Sequence, residues 1–352
     1  MKVFKIISFF MLLSMQVKAL KLEPLVQTEE IIWGFTYISD SEIIFTEREG
    51  SLFYYNIKSK EKIKIPHPKY APVGQGGLLD VLSVIHQKNH YIYLTYSEKY
   101  KGQYVTTLAR GVYKNKTIKS FENLFRTKIK SNTKRHFGSR LVMKDGFLFM
   151  TVGDRGERDY SQSLESHQGK ILRLTLDGKA APGNPFIGQA KALDEIWSYG
   201  HRNPQGIDIN PKDGKLYSCE FGPRGGDELN LIEKSKNYGW PTITYGREYW
   251  GPKIGPPTKP GLEQPITYWT PSISPSGMVF YRGEKIKKWK GNLFLANLSS
   301  THLRRLVLKD GKVIEQEELF KDRDERFRQV RNTPDGFLAV STDGGFIYKV
   351  LP

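Results

Sequence analysis

One local pattern recurs along the chain: a turn followed by a short apolar strand, often with an aromatic residue. It occurs six times, in segments that begin at residues 42, 91, 147, 215, 292 and 337. Three of the six follow an Asp-Gly pair, at residues 145–146, 213–214 and 335–336, which is a strong turn signal. Long amphipathic helical patterns are absent. The repeated strand unit therefore predicts an all-β fold and, with six copies, a six-bladed β-propeller.

The two ends of the chain are consistent with a closed ring. TEREGSLFYYN (residues 46–56) and STDGGFIYKV (residues 341–350) have the same strand–turn–strand form. In a ring the terminal segments complete a shared blade, which removes exposed sheet edges. A two-sheet sandwich is the alternative, and six similar units disfavour it. In a propeller the loops at one end of the central channel form a cup, where we expect the functional residues.

Residues 1–19 have the features of a secretory signal peptide. Lys2 and Lys5 precede a mostly apolar stretch from Ile6 to Met15, and a small-residue cleavage site ends at Ala19. The apolar stretch is too short to cross a bilayer. We therefore expect an exported, periplasmic or secreted protein whose residues 20–352 form a single propeller domain with no transmembrane segment.

The formal net charge of this 352-residue chain is +17, and the basic residues are spread over many segments. Spread lysine is typical of a solvated surface, and export further disfavours nucleic acid as a partner. The single cysteine, Cys219, excludes an intramolecular disulfide and a cysteine-based metal site.

A histidine and a carboxylate flank one predicted hairpin. The hairpin covers residues 141–150 with Asp145 and Gly146 at its turn; His136 precedes it and Asp154 follows it. Both side chains could therefore lie at the same end of one small sheet. A histidine beside a carboxylate is a candidate general base with its orienting group. The alternative is a histidine that caps the end of a strand.

Two further segments are candidates for ligand binding. The loop at residues 222–228 combines glycines, which let backbone carbonyls approach a ligand, with two carboxylates. Such oxygen ligands suit calcium, and an ordinary glycine-rich loop is the alternative. Arg326 and Arg328 lie two residues apart in an extended segment, so that their guanidinium groups share one face. Facing the cup they would bind an anion, and facing solvent they would be a basic patch.

Ten segments, in order from about residue 30 to the C terminus, resemble the soluble, quinone-dependent aldose sugar dehydrogenases (the glucose/sorbosone dehydrogenase family). Among them are GQGGLLDV, RHFGSRLV, VGDRG, EIWSYGHRNPQG, EFGPRGGDELN and RFRQVRNTPDG. Members of this family are six-bladed propellers that bind pyrroloquinoline quinone (PQQ) and calcium in the cup, and many are periplasmic. The resemblance implies the same fold, cofactors and location for this chain.

The resemblance also implies a role for each candidate residue. His136 matches the general base that takes the proton of the anomeric hydroxyl, and Asp154 matches the carboxylate that orients it. The positions that hold the quinone correspond to Gln75, Arg202, Asn203, Tyr249, Arg326 and Arg328. The carbonyls of Gly222 and Pro223 match ligands of the catalytic calcium, whereas Glu228 and Tyr238 match a second, structural calcium site.

The implied reaction is oxidation of an aldose at its anomeric carbon to a lactone, with hydride transfer to a quinone that calcium and Arg202 polarise. The implied partners are a sugar and an unidentified electron acceptor, with the protein a monomer or homodimer.

Glucose-oxidising members carry a lysine for the quinone where this chain reads Asn297 to His302 without one. Arg304 or Arg305 is a candidate substitute.

Two other functions remain open. A lactone hydrolase on a six-bladed propeller would need several side-chain carboxylate or asparagine ligands near the axis, and the arginine-rich cup argues against it. A non-catalytic binding propeller would keep the fold without the cofactor, and the missing lysine leaves room for it.

Overall fold

Six four-stranded antiparallel sheets, arranged as the blades of a β-propeller, make up the computed structural model. The model describes residues 20–352, and the segment assigned to a signal peptide lies outside them. The expected all-β, six-bladed fold is confirmed. The alternative of a two-sheet sandwich is wrong.

The strands are numbered in chain order. Blade 1 contains β2 (Ile32–Tyr37), β3 (Glu42–Glu47), β4 (Leu52–Asn56) and β5 (Lys62–Ile65). Blade 2 contains β6 (Leu78–His86), β7 (Asn89–Tyr100), β8 (Gln103–Lys114) and β9 (Thr117–Arg126). Blade 3 contains β10 (Leu141–Lys144), β11 (Phe147–Val152), β12 (Lys170–Leu174) and β13 (Ile196–Tyr199).

Blade 4 contains β14 (Pro204–Ile209), β15 (Leu216–Glu220), β16 (Asp227–Ile232) and β17 (Thr267–Trp269). Blade 5 contains β18 (Pro275–Phe280), β19 (Leu293–Asn297), β20 (Leu303–Lys309) and β21 (Lys312–Leu319). Blade 6 contains β22 (Phe327–Asn332), β23 (Leu338–Thr342), β24 (Phe346–Leu351) and β1 (Lys21–Gln27). Short 3₁₀ helices cover Arg158–Ser161, Lys287–Trp289 and Lys321–Arg323.

The six recurring segments of the sequence are the second strands of the six blades: β3, β7, β11, β15, β19 and β23. Neighbouring blades pack on both faces of these strands, and nearly every residue of β3, β15, β19 and β23 is buried. A strand that is buried on both faces has a continuous apolar run rather than an alternating pattern. The stacking of the blades is thus the physical reason for the repeat.

Each pair of neighbouring blades packs through its own hydrophobic cluster. Ile44 of blade 1 and Leu94 of blade 2 share one cluster, and Phe149 of blade 3 and Ile207 of blade 4 share another. The other four interfaces are built in the same way. The innermost strands also contact one another around the whole ring, including β22 with β2. The core is therefore a ring of six interfaces around a central channel.

Blade 6 is assembled from both ends of the chain. β1 pairs antiparallel with β24, from Lys21 opposite Leu351 to Gln27 opposite Phe346. Val26 of β1 is buried in the cluster between blades 6 and 1. The expected closure of the ring is confirmed, but the N-terminal segment expected to make it, residues 46–56, is wrong. The closure is made by β1, whereas residues 46–56 lie within blade 1.

Five of the six innermost strands contain a β-bulge. The register shifts lie beside Trp33 in β2, Asp80 in β6, Gln205 in β14, Ser276 in β18 and Arg328 in β22. A bulge leaves one residue out of the ladder and redirects its groups. Gly206 follows one bulge, and a Cβ there would lie 2.5 Å from the carbonyl oxygen of Ser276. Only glycine allows the two inner strands to approach this closely.

Cys219 is a buried free thiol in β15, and burial raises its pKa. It is therefore an inert part of the core.

No helix within residues 20–352 is long and apolar enough to span a membrane.

Candidate active site

Two cavities that share Gln75 in their lining lie at one end of the central channel, and together we call them the cup. The larger, of about 410 Å³, is lined by Gln75, Arg135, His136, Asp154, Gly156, Arg158, Arg202, Pro223, Trp240, Glu248, Tyr249, Trp250 and Ile254. The smaller, of about 160 Å³, is lined by Trp33, Arg48, Gln75, Phe137, Asn203, Gln205, Phe221, Leu298, Arg326 and Arg328. All the residues expected to hold a quinone therefore border the cup.

His136 and Asp154 form the closest pair of titratable groups in the cup. Nδ1 of His136 lies 2.6 Å from Oδ1 of Asp154. The hairpin of β10 and β11 brings the two residues together, because Leu141 pairs with Met150 at the end of the sheet that both residues flank. Gly153 makes the approach feasible, since a Cβ there would lie 2.1 Å from the carbonyl oxygen of His136.

Three donors fix the carboxylate of Asp154. Besides His136, the backbone N–H of Gly156 donates to Oδ1 (2.6 Å) and the indole Nε1 of Trp240 donates to Oδ2 (2.8 Å). The histidine is held from its other side by Gln75, whose side-chain oxygen accepts a hydrogen bond from the backbone N–H of His136 (2.7 Å). Both members of the pair are thus locked in position before any ligand binds.

The environment sets the charges of this pair. Burial raises the pKa of Asp154, but the hydrogen bond from His136, the charge of Arg202 and the Gly156 N–H outweigh burial and lower it. Burial lowers the pKa of His136, and the carboxylate of Asp154 opposes this only in part. A neutral histidine beside an ionised carboxylate donates through Nδ1. Nε2 is therefore the nitrogen left to accept a proton.

Arg202 lines the larger cavity, and several hydrogen bonds hold it in position. Its backbone N–H donates to Oε2 of Glu220 (2.6 Å), and its carbonyl accepts from the backbone N–H of Asp154 (2.7 Å). Its Nη1 donates to the carbonyls of Phe221 (3.0 Å) and Gly222 (3.2 Å). The guanidinium group is thus positioned by the start of the glycine-rich loop.

Asn203, the next residue, lines the smaller cavity, and Tyr249 lines the larger one beside Arg202. The side-chain oxygen of Asn203 accepts from the backbone N–H of Gly138 (3.3 Å). Nη2 of Arg202 lies 3.4 Å from the hydroxyl of Tyr249. Tyr249 and its neighbour Trp250 are 67% and 74% exposed, so that two aromatic rings stand at the mouth of the cavity.

Arg326 and Arg328 both face the smaller cavity, and one carboxylate holds them. Asp343 accepts from Nε of Arg326 (2.9 Å) and from Nε and Nη2 of Arg328 (2.8 and 2.9 Å). Burial raises the pKa of Asp343, but the two guanidinium groups outweigh it and lower that pKa. The two arginines therefore keep one net positive charge. The alternative of a solvent-facing basic patch is wrong for Arg328, whose side chain is only 11% exposed.

The residues expected to bind calcium divide into two places. Pro223 lines the larger cavity, and its carbonyl accepts from the backbone N–H of Arg247 (2.9 Å). Gly222, Glu228 and Tyr238 border a small cavity of about 10 Å³, which shares Arg202 and Trp240 with the lining of the larger one. Glu220 lies beside Glu228 across the β15–β16 ladder. Glu228 and Tyr238, expected at one calcium site, thus line the same cavity, whereas Gly222 and Pro223, expected together at the other, line different cavities.

Two buried carboxyl groups, those of Glu220 and Glu228, line the small cavity. Burial, together with the charges of Glu220 and Asp227, raises the pKa of Glu228 to about 8. A cation placed there would offset this penalty and hold the carboxylate ionised. Within residues 20–352, no three histidine, cysteine, aspartate or glutamate side chains are grouped to hold a metal. A calcium ion at this position would therefore need backbone carbonyls and water among its ligands.

The cup as a whole fits an anionic ligand. Six arginines line it, whereas its lining contains only two carboxylates, Asp154 and Glu248. The buried Nε of Arg48 makes no hydrogen bond within the described residues. Three carboxylates, as in PQQ, would pair with this excess of guanidinium groups.

Neither Arg304 nor Arg305 replaces the missing lysine, and that expectation is wrong. Both residues belong to β20, the third strand of blade 5, and they pair with carboxylates of the neighbouring β21. Arg304 contacts Glu318, and Arg305 contacts Glu315 and Glu317. The chain after β19 reaches the cup with Leu298 instead, whose carbonyl accepts from Nη1 of Arg326 (3.4 Å).

Two functional contacts were not foreseen from the sequence. Trp240 lies in the NYGWP segment, 86 residues from Asp154, whose carboxylate it contacts. Asp343 lies in the turn between β23 and β24, and it pairs with both arginines of the cup. Neither contact has a local signal in the sequence, because the partners lie at least 15 residues apart.

Comparison with known proteins indicates the family of this chain. A sequence model described as Glucose / Sorbosone dehydrogenase matches residues 29–349. The chain is 39% identical over 335 residues to Aldose sugar dehydrogenase YliI of Escherichia coli (strain K12), covering 91% of this chain and 90% of that protein.

Solved structures are similar over the same range. The soluble aldose sugar dehydrogenase of Escherichia coli, in its apo-form, has a TM-score of 0.91 and 37% identity, covering 95% of this chain and 100% of that one. The PQQ-bound form of an aldose sugar dehydrogenase from Streptomyces coelicolor has a TM-score of 0.79 and 26% identity, covering 94% and 97%.

These matches extend over nearly all of the described residues and include every blade. They confirm the family expected from the motifs and the expected class of enzyme, a sugar oxidoreductase. The chain belongs to the glucose/sorbosone dehydrogenase family.

Proposed function

We propose that this protein oxidises an aldose at its anomeric carbon to the lactone, with PQQ and calcium bound in the cup. One observation carries the proposal: the 2.6 Å contact between Nδ1 of His136 and Oδ1 of Asp154, at the wall of an arginine-lined cavity. A buried, oriented, neutral imidazole is what a base needs, and the arginines are what an anionic cofactor needs.

The chain's own residues supply the base and the positioning. Nε2 of His136 takes the proton of the anomeric hydroxyl, while Asp154 holds the ring and stabilises the imidazolium that forms. Gln75 fixes the backbone of His136. The oriented pair removes the proton without first having to rearrange, and this preorganisation lowers the barrier.

In this proposal, residues that line the cup hold the quinone, and Pro223 of the cup together with residues of the neighbouring small cavity binds calcium. Gln75, Arg202, Asn203, Tyr249, Arg326 and Arg328 hold the quinone. The carbonyls of Gly222 and Pro223 bind the catalytic calcium, and Glu228 and Tyr238 bind a structural calcium. When bound, PQQ with its calcium supplies the hydride acceptor that no amino-acid side chain offers. The family relationship and the PQQ-bound neighbour from Streptomyces coelicolor support this assignment.

The proposal also covers location and partners. Residues 1–19 direct export to the periplasm or the exterior and are removed near Ala19. The electrons taken from the sugar then pass to a separate electron acceptor. The protein acts as a monomer or a homodimer.

Reconstitution tests the proposal directly. Purified apoprotein is loaded with PQQ and calcium, and a panel of aldoses is assayed with an artificial dye as acceptor. We expect dye reduction that requires PQQ and an aldose, with lactone as the product. Failure to bind PQQ, together with no oxidation of any aldose, would favour the non-catalytic propeller instead.

Calcium is tested separately. Chelation of the loaded protein should abolish dye reduction, and calcium added with PQQ should restore it. Full activity after verified removal of calcium would contradict the metal assignment. The lactone-hydrolase alternative predicts hydrolysis of lactones by the metal-loaded protein without PQQ, which the same preparation can be assayed for.

A further inference from the structure

A single buried arginine contacts the innermost strands of all the other blades. Arg140 directly precedes β10 of blade 3 and is 2% exposed. A guanidinium group has five N–H donors in a fixed plane. The five contacts of Arg140 lie on five different blades, and the partners are Trp33, Asp80, Gln205, Ser276 and Arg328.

The contacts use both backbone and side-chain oxygens. Nε donates to the carbonyl of Gln205 (2.8 Å), and Nη2 donates to the carbonyl of Arg328 (3.0 Å) and to Oγ of Ser276 (3.3 Å). Nη1 donates to the carbonyl of Trp33 (3.3 Å) and lies 3.5 Å from Oδ1 of Asp80. The guanidinium carbon also lies 3.9 Å from the centre of the Trp33 ring.

The β-bulges explain why five oxygens are available at one point. Each of the five partners lies at the register shift of its innermost strand. Regular pairing would keep the backbone groups of these residues in the hydrogen-bond ladder of their own blade. A bulge releases one residue from that ladder and redirects its backbone and side-chain groups. The bulges therefore turn one residue from each of blades 1, 2, 4, 5 and 6 towards the same guanidinium group.

Asp80 provides the only carboxylate among these partners. It is fully buried and also accepts from Nη2 of Arg331 (3.2 Å) and from the backbone N–H of Leu141 (2.9 Å). Arg140 and Arg331 thus share one negative charge. This cluster of three charged side chains therefore keeps one net positive charge.

The partners of Arg140 also form the cup. Trp33, Gln205 and Arg328 all line its smaller cavity, together with Gln75, Asn203 and Arg326. We infer that Arg140 is a positioning residue for the cofactor: its five contacts fix the innermost strands relative to one another and thereby set the geometry of the PQQ-binding residues. The inference about PQQ rests on the proposed function, whereas the coupling of the blades does not.

The coupling is tested on the apoprotein by hydrogen–deuterium exchange. Arg140→Ala should increase exchange at least tenfold in peptides that cover the bulges of blades 1, 2, 4, 5 and 6. Arg140→Lys should give a smaller increase, because an ammonium group has only three donors; it also serves if the alanine variant does not fold. Leu172→Ala, a buried substitution in β12, is the control for a general loss of stability. Its effect should be confined to blade 3 and the cluster around it.

Titration of the same variants with PQQ tests the effect on the cup. Arg140→Ala should raise the Kd for PQQ at least tenfold over that of the wild-type chain. Low-millimolar guanidinium should restore part of the affinity in this variant and not in Leu172→Ala. Exchange that rises only in blade 3, or an unchanged Kd in Arg140→Ala, would overturn the inference. Failure of the wild-type chain to bind PQQ would instead overturn the proposed function, and the exchange experiment would still decide the coupling.

Discussion

At the scale of single residues, the site depends on how completely Asp154 is held. Its two oxygens accept from an imidazole, an indole and a backbone N–H, and each of these donors comes from a different segment of the chain. Burial alone would favour the protonated acid, and these contacts reverse that preference. The carboxylate therefore stays ionised and keeps His136 in one orientation.

The first prediction concerns His136 itself. His136→Gln or His136→Ala should lower turnover by about 10²–10⁴-fold, the usual contribution of a general base, because Nε2 no longer accepts the proton. PQQ binding and folding should stay nearly intact, since the arginines of the cup are unchanged. Turnover is measured by dye reduction, with bound PQQ confirmed by absorbance. Near-normal turnover with full PQQ occupancy would return His136 to the role of a strand-end histidine.

The second prediction concerns pH. The base must be neutral, and burial lowers the pKa of His136 from its usual 6.5. The acid limb of kcat/KM should therefore have its midpoint below 6.5. Asp154→Asn removes the charge that raises this pKa, so the midpoint should move to still lower pH while the plateau falls by less than in the His136 variants. A wild-type midpoint above 6.5 would contradict the assignment of His136 as the base.

At the scale of elements, β22 and the residue before it place two arginines at the smaller cavity. Arg328 lies in β22 and Arg326 directly precedes it, and Asp343 in the turn after β23 holds both. Hairpin pairing of β22 with β23 brings the carboxylate into reach, since Phe327 pairs with Thr342. The two strands thus hold the arginines in place without a ligand, so that the proposed cofactor would not have to order them.

The third prediction tests this face. Arg328→Ala should weaken PQQ binding by about 1.5–3 kcal/mol, the range for hydrogen bonds to charged groups. Arg326→Ala should have the same direction and a smaller effect, because the side chain of Arg326 is 50% exposed. Titration of each apo variant gives the Kd. Arg282→Ala is the matched control, since Arg282 pairs with Asp208 and lines neither cavity. Unchanged affinity in both test variants would place the pair outside the cofactor site.

At the scale of the whole molecule, closure depends on nine residues at the start of the described chain. β1 covers the edge of β24 and buries Val26 between blades 6 and 1. Without it, an unpaired strand edge would be exposed, which invites association with other chains.

The fourth prediction follows from this closure. A chain that begins at residue 29 should be less stable than one that begins at residue 20, by more than the roughly 1.5–3 kcal/mol that burial of one valine side chain contributes. The melting temperature and the oligomeric state of the two chains are compared by calorimetry and light scattering. Equal melting temperatures would show that the ring closes without β1.

Much of the fold could be predicted from the sequence because the blades stack. Burial of the second strand on both faces produces a continuous apolar run in each blade, and Asp-Gly turns mark where several of these runs begin. Stacking therefore leaves a local signal, repeated six times. The hairpin that joins His136 to Asp154 could also be predicted, because its turn and its strands lie within 20 residues.

The sequence by itself thus determined the strands, the blade number and the residues that reach the cup. Only the tertiary structure decided which distant groups complete the site: Trp240 on Asp154, Asp343 on the arginines, and five bulged strands around Arg140. It also showed that Arg304 and Arg305 point to carboxylates of their own blade. Such contacts join residues far apart in the chain, and no local pattern encodes them, because they arise only when six independent sheets close around one axis.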